Sequence, residues 1–169
     1  MGITEIPIDS PVEVKIAWAE NCYQELRDKL LGDEKIADTL RSFKVSSQDT
    51  HKEMITAGVV DECKNCEQRE GGSCCGTGLE NKYNSTLLLI NLLLDIKIPK
   101  KRYDPSSCFF LGKEGCQLVA RHVICVNYLC KKVTNRIDPQ KIALLRKKEG
   151  VELERLFFLH ELIKKRLIS

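Results

Sequence analysis

The sequence predicts a mainly α-helical fold, with helices packed around a loop-rich, cysteine-dense centre that carries a small β-hairpin. Three observations predict it. Apolar residues recur at helical spacing in the first thirty and the last thirty residues. The chain holds nine cysteines, eight of them between Cys63 and Cys130. Charge divides the chain at the same places: residues 1–62 hold 7 basic and 13 acidic residues, 63–130 hold 9 and 6, and 131–169 hold 11 and 5. We therefore expect an acidic helical segment (1–62), a cysteine-rich region (63–130) and a basic helical segment (131–169), together forming one compact domain.

Each element follows from local chemistry. Ser10-Pro11-Val12-Glu13 reads as an N-cap, a first-turn proline and a capping-box glutamate. Val12, Ile16, Ala19, Tyr23, Leu26 and Leu30 then mark one face of a helix that Gly32 ends. Asp33 can cap a second helix through about Phe43, and Ser46-Ser47-Gln48-Asp49 opens a third toward Val60, weakened by Gly58. Residues 61–84 read as loop. Asn84 or Ser85 can cap a short buried helix through about Leu94, with Pro99 as its stop. Cys108-Phe109-Phe110-Leu111, a Gly112-Lys113-Glu114-Gly115 turn and Cys116-Gln117-Leu118-Val119 read as a hairpin. Asp138-Pro139 starts the tail, which Gly150 divides into two helices. Leu153, Leu156, His160, Ile163 and Leu167 stripe the second of these.

Composition excludes several classes. Of the 169 residues, 43% are hydrophobic and 30% charged, which suits a soluble globular chain and rules out disorder and collagen. The most apolar stretch, Leu87 to Ile98, is broken by Asn91, Asp95 and Lys97, far short of the roughly 20 apolar residues a membrane span needs. The first ten residues lack the basic start and apolar run of a targeting segment. A cytoplasmic location is expected, and in that reducing setting clustered cysteines are metal ligands or catalytic thiols more often than disulfides.

The cysteine pattern is Cys63-x2-Cys66-x7-Cys74-Cys75, then Cys108-x7-Cys116-x8-Cys125-x4-Cys130. A Cys-x2-Cys knuckle lets two thiolates face one ion while turn amides point at the sulfurs. The adjacent pair is more diagnostic. Neighbouring α-carbons lie about 3.8 Å apart, below the separation a disulfide prefers, so bridging them is strained. Metal charge stabilises both thiolates and gives each a role. Glycines at 71, 72, 76 and 78 would let backbone amides approach the sulfurs. A phosphate loop is a poor rival, since no Gly-Lys-Ser/Thr follows. Cys22, beside the apolar face of the first helix, reads as core.

This order of cysteines resembles the zinc- or iron-chelating cysteine-cluster proteins of the YkgJ-like family. Cys63, Cys66, Cys74 and Cys75 match the first half of that pattern; Cys108, Gly115, Cys116, Arg121, Cys125 and Cys130 match the second. The resemblance covers roughly the middle 70 residues. It departs in the seven residues between Cys66 and Cys74, and in His122 where the family often has proline. Flagellin lysine N-methylases are similar in the cysteine motif, which implies a cluster-dependent enzyme as one alternative.

The expected function is metal binding by the eight cysteines, through an iron–sulfur cluster (a 4Fe–4S cluster slightly ahead) or zinc. All-thiolate sets serve both, but only one knuckle is present and the spacing is irregular. The eight could form one cluster with four cysteines left over, two four-ligand sites or a bridged pair of ions. Arg121 could neutralise an anionic cluster, and His122, between Cys116 and Cys125, could ligate or hydrogen-bond a sulfur. An ordinary salt bridge and a solvated loop histidine are the plainer readings of these two residues. His160 reads as a satisfied core histidine and His51 as surface. The basic groups at Lys97, Lys100, Lys101 and Arg102, at residues 146–148 and at 164–166 read as solvated faces, because no aromatic interleaving or nucleic-acid motif accompanies them. A metal ion or cluster is the expected ligand and a protein the expected partner; neither membrane nor nucleic acid is. A zinc-stabilised interaction module, and thiol redox or metal-delivery chemistry, are the remaining alternatives. No serine–histidine–acid arrangement or dinucleotide fingerprint is present.

Overall fold

The computed structural model describes residues 4–69 and 74–168, with the side chains of residues 67–69 left aside. Gly71, Gly72 and Ser73, part of the glycine-rich surround read from the sequence, lie outside the described residues. The fold is mainly helical. Among the described residues, seven α-helices run in order: α1 (Val12–Leu31), α2 (Glu34–Ala57), α3 (Val59–Arg69), α4 (Ser85–Leu93), α5 (Val123–Asn127), α6 (Lys131–Arg136) and α7 (Pro139–Ile168). A 3-10 turn spans Leu79–Lys82, and a two-stranded antiparallel hairpin, β1 (Leu111–Gly112) with β2 (Gly115–Cys116), pairs Leu111 with Cys116 and Gly112 with Gly115.

The first helix begins at Val12, one residue later than the proline cue suggests. Pro11 occupies the cap position, and no side chain caps the start. Asp33 caps α2 by accepting from the amides of Lys35 and Ile36. That helix does not stop at Phe43. The polar run Ser46-Ser47-Gln48-Asp49 stays helical because the Ser46 and Thr50 hydroxyls turn back onto the carbonyls of Phe43 (2.8 Å) and Ser46 (3.0 Å). Both residues are buried against neighbouring structure, so packing overrides their weak propensity. Gly58, at φ 89°, ends α2 in the left-handed conformation, which only glycine adopts without strain.

Two further boundaries move. Residues 61–69 are helical rather than loop, because no breaker interrupts Asp61-Glu62-Cys63-Lys64-Asn65-Cys66 and the acidic pair suits a helix N-terminus. The tail is one helix of 30 residues, not two, and Gly150 sits inside it. A single glycine costs only about 1 kcal/mol in a helix, which flanking burial offsets. Asn84 caps α4 through Leu87 N–H at 2.8 Å, as its position in the sequence suggests, but α4 ends at Leu93, before Pro99, where the chain turns through Asp95 at φ 61°. The hairpin is shorter than read. The short α5 and α6 carry no strong periodic signal in the sequence.

The principal core joins α1, α2, α4 and α7 with the hairpin region; Ala19, Phe43, Leu88, Leu89, Ile90, Phe110 and Leu159 are fully buried in it. The α2–α7 and α1–α4 pairs are the most extensive helix contacts. A second, smaller core of Ala57, Val59, Val133, Ile137 and Leu145 lies where α2 gives way to α3 and meets α6 and α7. Cys22 is buried in the principal core, where burial, reinforced by Glu25, pushes its thiol up to about 11. Among the described residues, no helix is long and apolar enough to cross a membrane.

Candidate metal centre

All nine cysteines fall within the described residues, and none forms a disulfide. The eight of the middle region separate into two neighbourhoods. Cys63 and Cys66, three residues apart on α3, share one helical face. Cys130 stands at the N-cap of α6. The Cys74 thiol hydrogen-bonds with that of Cys130, and it is raised by burial first and then by the proximity of Cys130 and Cys66. Cys63 is likewise raised by burial, then by Cys130, Cys74 and Cys66. Cys63 and Cys74 thus each feel Cys66 and Cys130, and Cys130 packs against the smaller core. Arg136 on α6 pairs with Glu62 on α3 at 2.7 Å and holds the two helices together.

The other four lie against the principal core. Cys108 is buried in it, and Cys75 and Cys125 pack on its surface. The Cys108 amide donates to the Cys75 carbonyl at 2.6 Å, and Gly76 bridges Ser107 next to it. Burial, opposed by an amide bond from Phe110 and reinforced by Glu80, Cys116 and Cys125, pushes the Cys108 thiol up to about 11. Cys116 is exposed as a residue, yet its sulfur faces the Tyr83 hydroxyl, and burial raises its thiol while an amide bond from Leu118 and the charge of Arg121 oppose that. Cys125, in the first turn of α5, is also raised by burial, with the Tyr83 hydroxyl and Arg121 opposing. Tyr83 is 1% exposed, stacks edge-on against Phe110 at 4.9 Å, and is held well above the ordinary phenol range by burial and by these two sulfurs.

The peptide bond between Cys74 and Cys75 therefore joins the two neighbourhoods. The Cys-x2-Cys segment, read as a turn-type knuckle, instead lies within a helix. Its sulfurs are brought together by the i, i+3 spacing and not by a loop of converging amides. Among the described residues, no three His, Cys, Asp or Glu side chains converge closely enough to enclose an ion. The sulfurs are neighbours, not a closed cage.

Two residues frame the second neighbourhood, and sequence reasoning passed over both. Asn91, fully buried in α4, accepts from the amides of Val119 (2.9 Å) and Ala120 (3.0 Å) and donates to the carbonyls of Leu87 and Ala120 (both 2.9 Å). It fixes the segment between Cys116 and Arg121 onto the core. Its only signal in the sequence is an amide amid leucines, which must find partners if buried. Glu80 is 3% exposed; it accepts from Gly78 N–H (3.0 Å), Phe109 N–H (3.3 Å) and Arg102, so it ties the loop after Cys75 to the strand-like run from Cys108. Burial disfavours its charge, but the Arg102 guanidinium and these amides hold its carboxyl below the ordinary range. Gly78, at φ 96°, provides the turn that makes this possible.

Arg121 lies between the second sulfur group and α7. Its guanidinium stands 3.8 Å from Glu152 and lowers Cys116 and Cys125. Glu152 is fully buried, and burial raises its carboxyl above the usual range, with Arg121, Thr50 and Ser47 opposing. His122 is the N-cap of α5: its Nδ1 accepts from Ile124 N–H at 3.3 Å, and burial followed by Lys82 lowers its pKa. His160, on α7, meets Asn84 at 2.9 Å and is a partly buried, satisfied side chain. His51 is exposed. The basic groups engage acids: Lys100 with Glu20, Arg102 with Glu80, Arg146 with Glu149, and Arg166 with Asp33.

No protein-family model, curated protein or solved structure matches this chain.

Proposed function

We propose that the protein binds metal through its eight middle cysteines, as two four-thiolate sites: Cys63, Cys66, Cys74 and Cys130 in one, and Cys75, Cys108, Cys116 and Cys125 in the other. The observation that carries this reading is that Cys63 and Cys74 lie by Cys66 and Cys130, Cys108 lies by Cys116 and Cys125, and the Cys75 carbonyl is bonded to the Cys108 amide. Thiols gathered in this way raise one another's pKa and repel as thiolates; a cation reverses both costs. The resemblance of the cysteine order to the YkgJ-like chelating proteins supports the same reading.

Iron–sulfur clusters are the first assignment and zinc the alternative. Both take four cysteines, but the turn geometry of a zinc knuckle is missing from Cys63-x2-Cys66. The residues fit such a group chemically. Arg121 offers a fixed positive charge beside the second set, and the Tyr83 hydroxyl can donate to the Cys125 sulfur, which tunes thiolate electron density.

Metal and sulfide content per chain, with an absorption spectrum, in protein purified without air tests the proposal. Iron with stoichiometric sulfide and visible charge-transfer bands supports clusters. A colourless protein with two zinc ions supports the alternative. Substituting serine at Cys63 and Cys74, or at Cys108 and Cys125, should each remove about half the metal. Folded, metal-free protein with nine freely titrating thiols would overturn both assignments.

A further inference from the structure

The face of α7 turned away from the core carries large apolar side chains that none of the described residues covers. Leu144 is 47% exposed, Val151 42%, Phe157 61% and Phe158 56%. Lys147 and Glu154, also exposed, run down the centre of this face at a spacing of seven. At about 100° per residue, Leu144, Val151 and Phe158 line one side of that central row, and Ala143, Gly150 and Phe157 the other. Single exposed apolar residues are ordinary; four large ones gathered on one face of a helix, either side of a charged row, are of the kind that marks an interaction surface.

We propose that this face is an isologous interface with a second copy of the chain, in which two α7 helices pack antiparallel about a two-fold axis between Gly150 and Val151. Charge complementarity selects that occupant and that register. Two antiparallel helices related by such an axis bring like flanks together, with positions reflected through it. Lys147 then meets Glu154 of the second copy, and Glu154 meets its Lys147. On one flank Val151 meets its own copy and Leu144 meets Phe158. On the other, Ala143 receives Phe157, and Gly150 meets its own copy at the axis. Ala143 leaves room for Phe157, Gly150 lets the backbones approach at the axis, and opposite charges pair at the centre. Gly150 has open space where a side chain would stand, so two backbones can approach there. The segment from Ala143 to Phe158 spans about 24 Å of helix, long enough for a specific pairing. This also supplies a reason for a glycine in the middle of a 30-residue helix, which costs helix stability in the monomer. The contact involves none of the cysteines and stands apart from the metal reading.

Sedimentation equilibrium with a thiol reductant and a chelator present tests this, since those conditions remove disulfide- and metal-bridged dimers. The wild-type chain should be dimeric. Lys147→Glu and Glu154→Lys should each weaken the dimer about tenfold, because each turns two attractive contacts repulsive. The double swap should restore it. Gly150→Gln should dissociate the dimer while leaving the monomer's thermal midpoint unchanged or higher, which separates loss of contact from unfolding. A wild-type monomer at about 100 μM, a dimer indifferent to these substitutions, or a double swap that fails to rescue would each overturn the proposal.

Discussion

The two sulfur neighbourhoods differ in what holds them. The set of Cys75, Cys108, Cys116 and Cys125 rests on the principal core; Asn91 and Glu80 fix its backbone through buried hydrogen bonds, and the Tyr83 hydroxyl faces the Cys116 and Cys125 sulfurs. The set of Cys63, Cys66, Cys74 and Cys130 rests on a core of five buried residues, and Cys63 and Cys74 are exposed. One set is framed by the fold. The other is framed by a helix face, a helix cap and one exposed loop cysteine. The comparison teaches that similar thiols can differ in how far the fold orders them: on the proposed metal reading, order precedes the ligand at the Cys75 set, and the ligand would contribute much of it at the Cys63 set.

The largest blow to that comparison is Asn91→Ala. It strands two amides and a carbonyl in the core, so stability in denaturant titrations should fall by about 3 kcal/mol or more. A loss below about 1 kcal/mol would show that the fold does not frame the set of Cys75, Cys108, Cys116 and Cys125 through this clamp. Glu80→Gln follows, with a loss of about 2 kcal/mol at neutral pH, since a charged acceptor bonded to Arg102 and two amides is replaced by a neutral amide. Its pH dependence has a definite sign. The folded carboxyl is depressed, so its support is complete above the ordinary value of 4.5 and fades as pH falls through the lower folded value. The acid limb of wild-type unfolding should therefore be steeper than that of Glu80→Gln, and superimposable limbs would refute the assignment.

Smaller effects sharpen the contrast. In protein stripped of metal, Cys108→Ser should cost about 1–2 kcal/mol, because a hydroxyl replaces a buried thiol in the principal core. Cys74→Ser should stay within about 0.5 kcal/mol, as exposed substitutions do. Equal losses at the two positions would erase the difference between the sets. Limited proteolysis gives the same comparison without mutation: chelation should expose cleavage near α3 and Cys74 before any in the hairpin.

The helical scaffold was legible because its signals are local. Periodicity placed the buried face of α1, and a proline after aspartate placed the start of α7. Where the reading broke helices too early, at Phe43 and Gly150, it weighted residue propensity above packing that only neighbouring helices supply. The helix through Cys63 and Cys66 was missed because cysteine spacing suggested a turn, while nothing in the segment forbids a helix.

The sequence by itself determined that this is a mainly helical chain with an unusual concentration of thiols, since both follow from residue identity and short-range spacing. Only the tertiary structure decided which thiols are neighbours. Cys130 lies 56 residues from Cys74 in the sequence yet influences its thiol, while Cys75, next in the chain, packs against the principal core. Such pairing depends on how α3, α6 and the hairpin pack against two separate cores. No local pattern of side chains encodes that arrangement, because its energy arises from long-range burial.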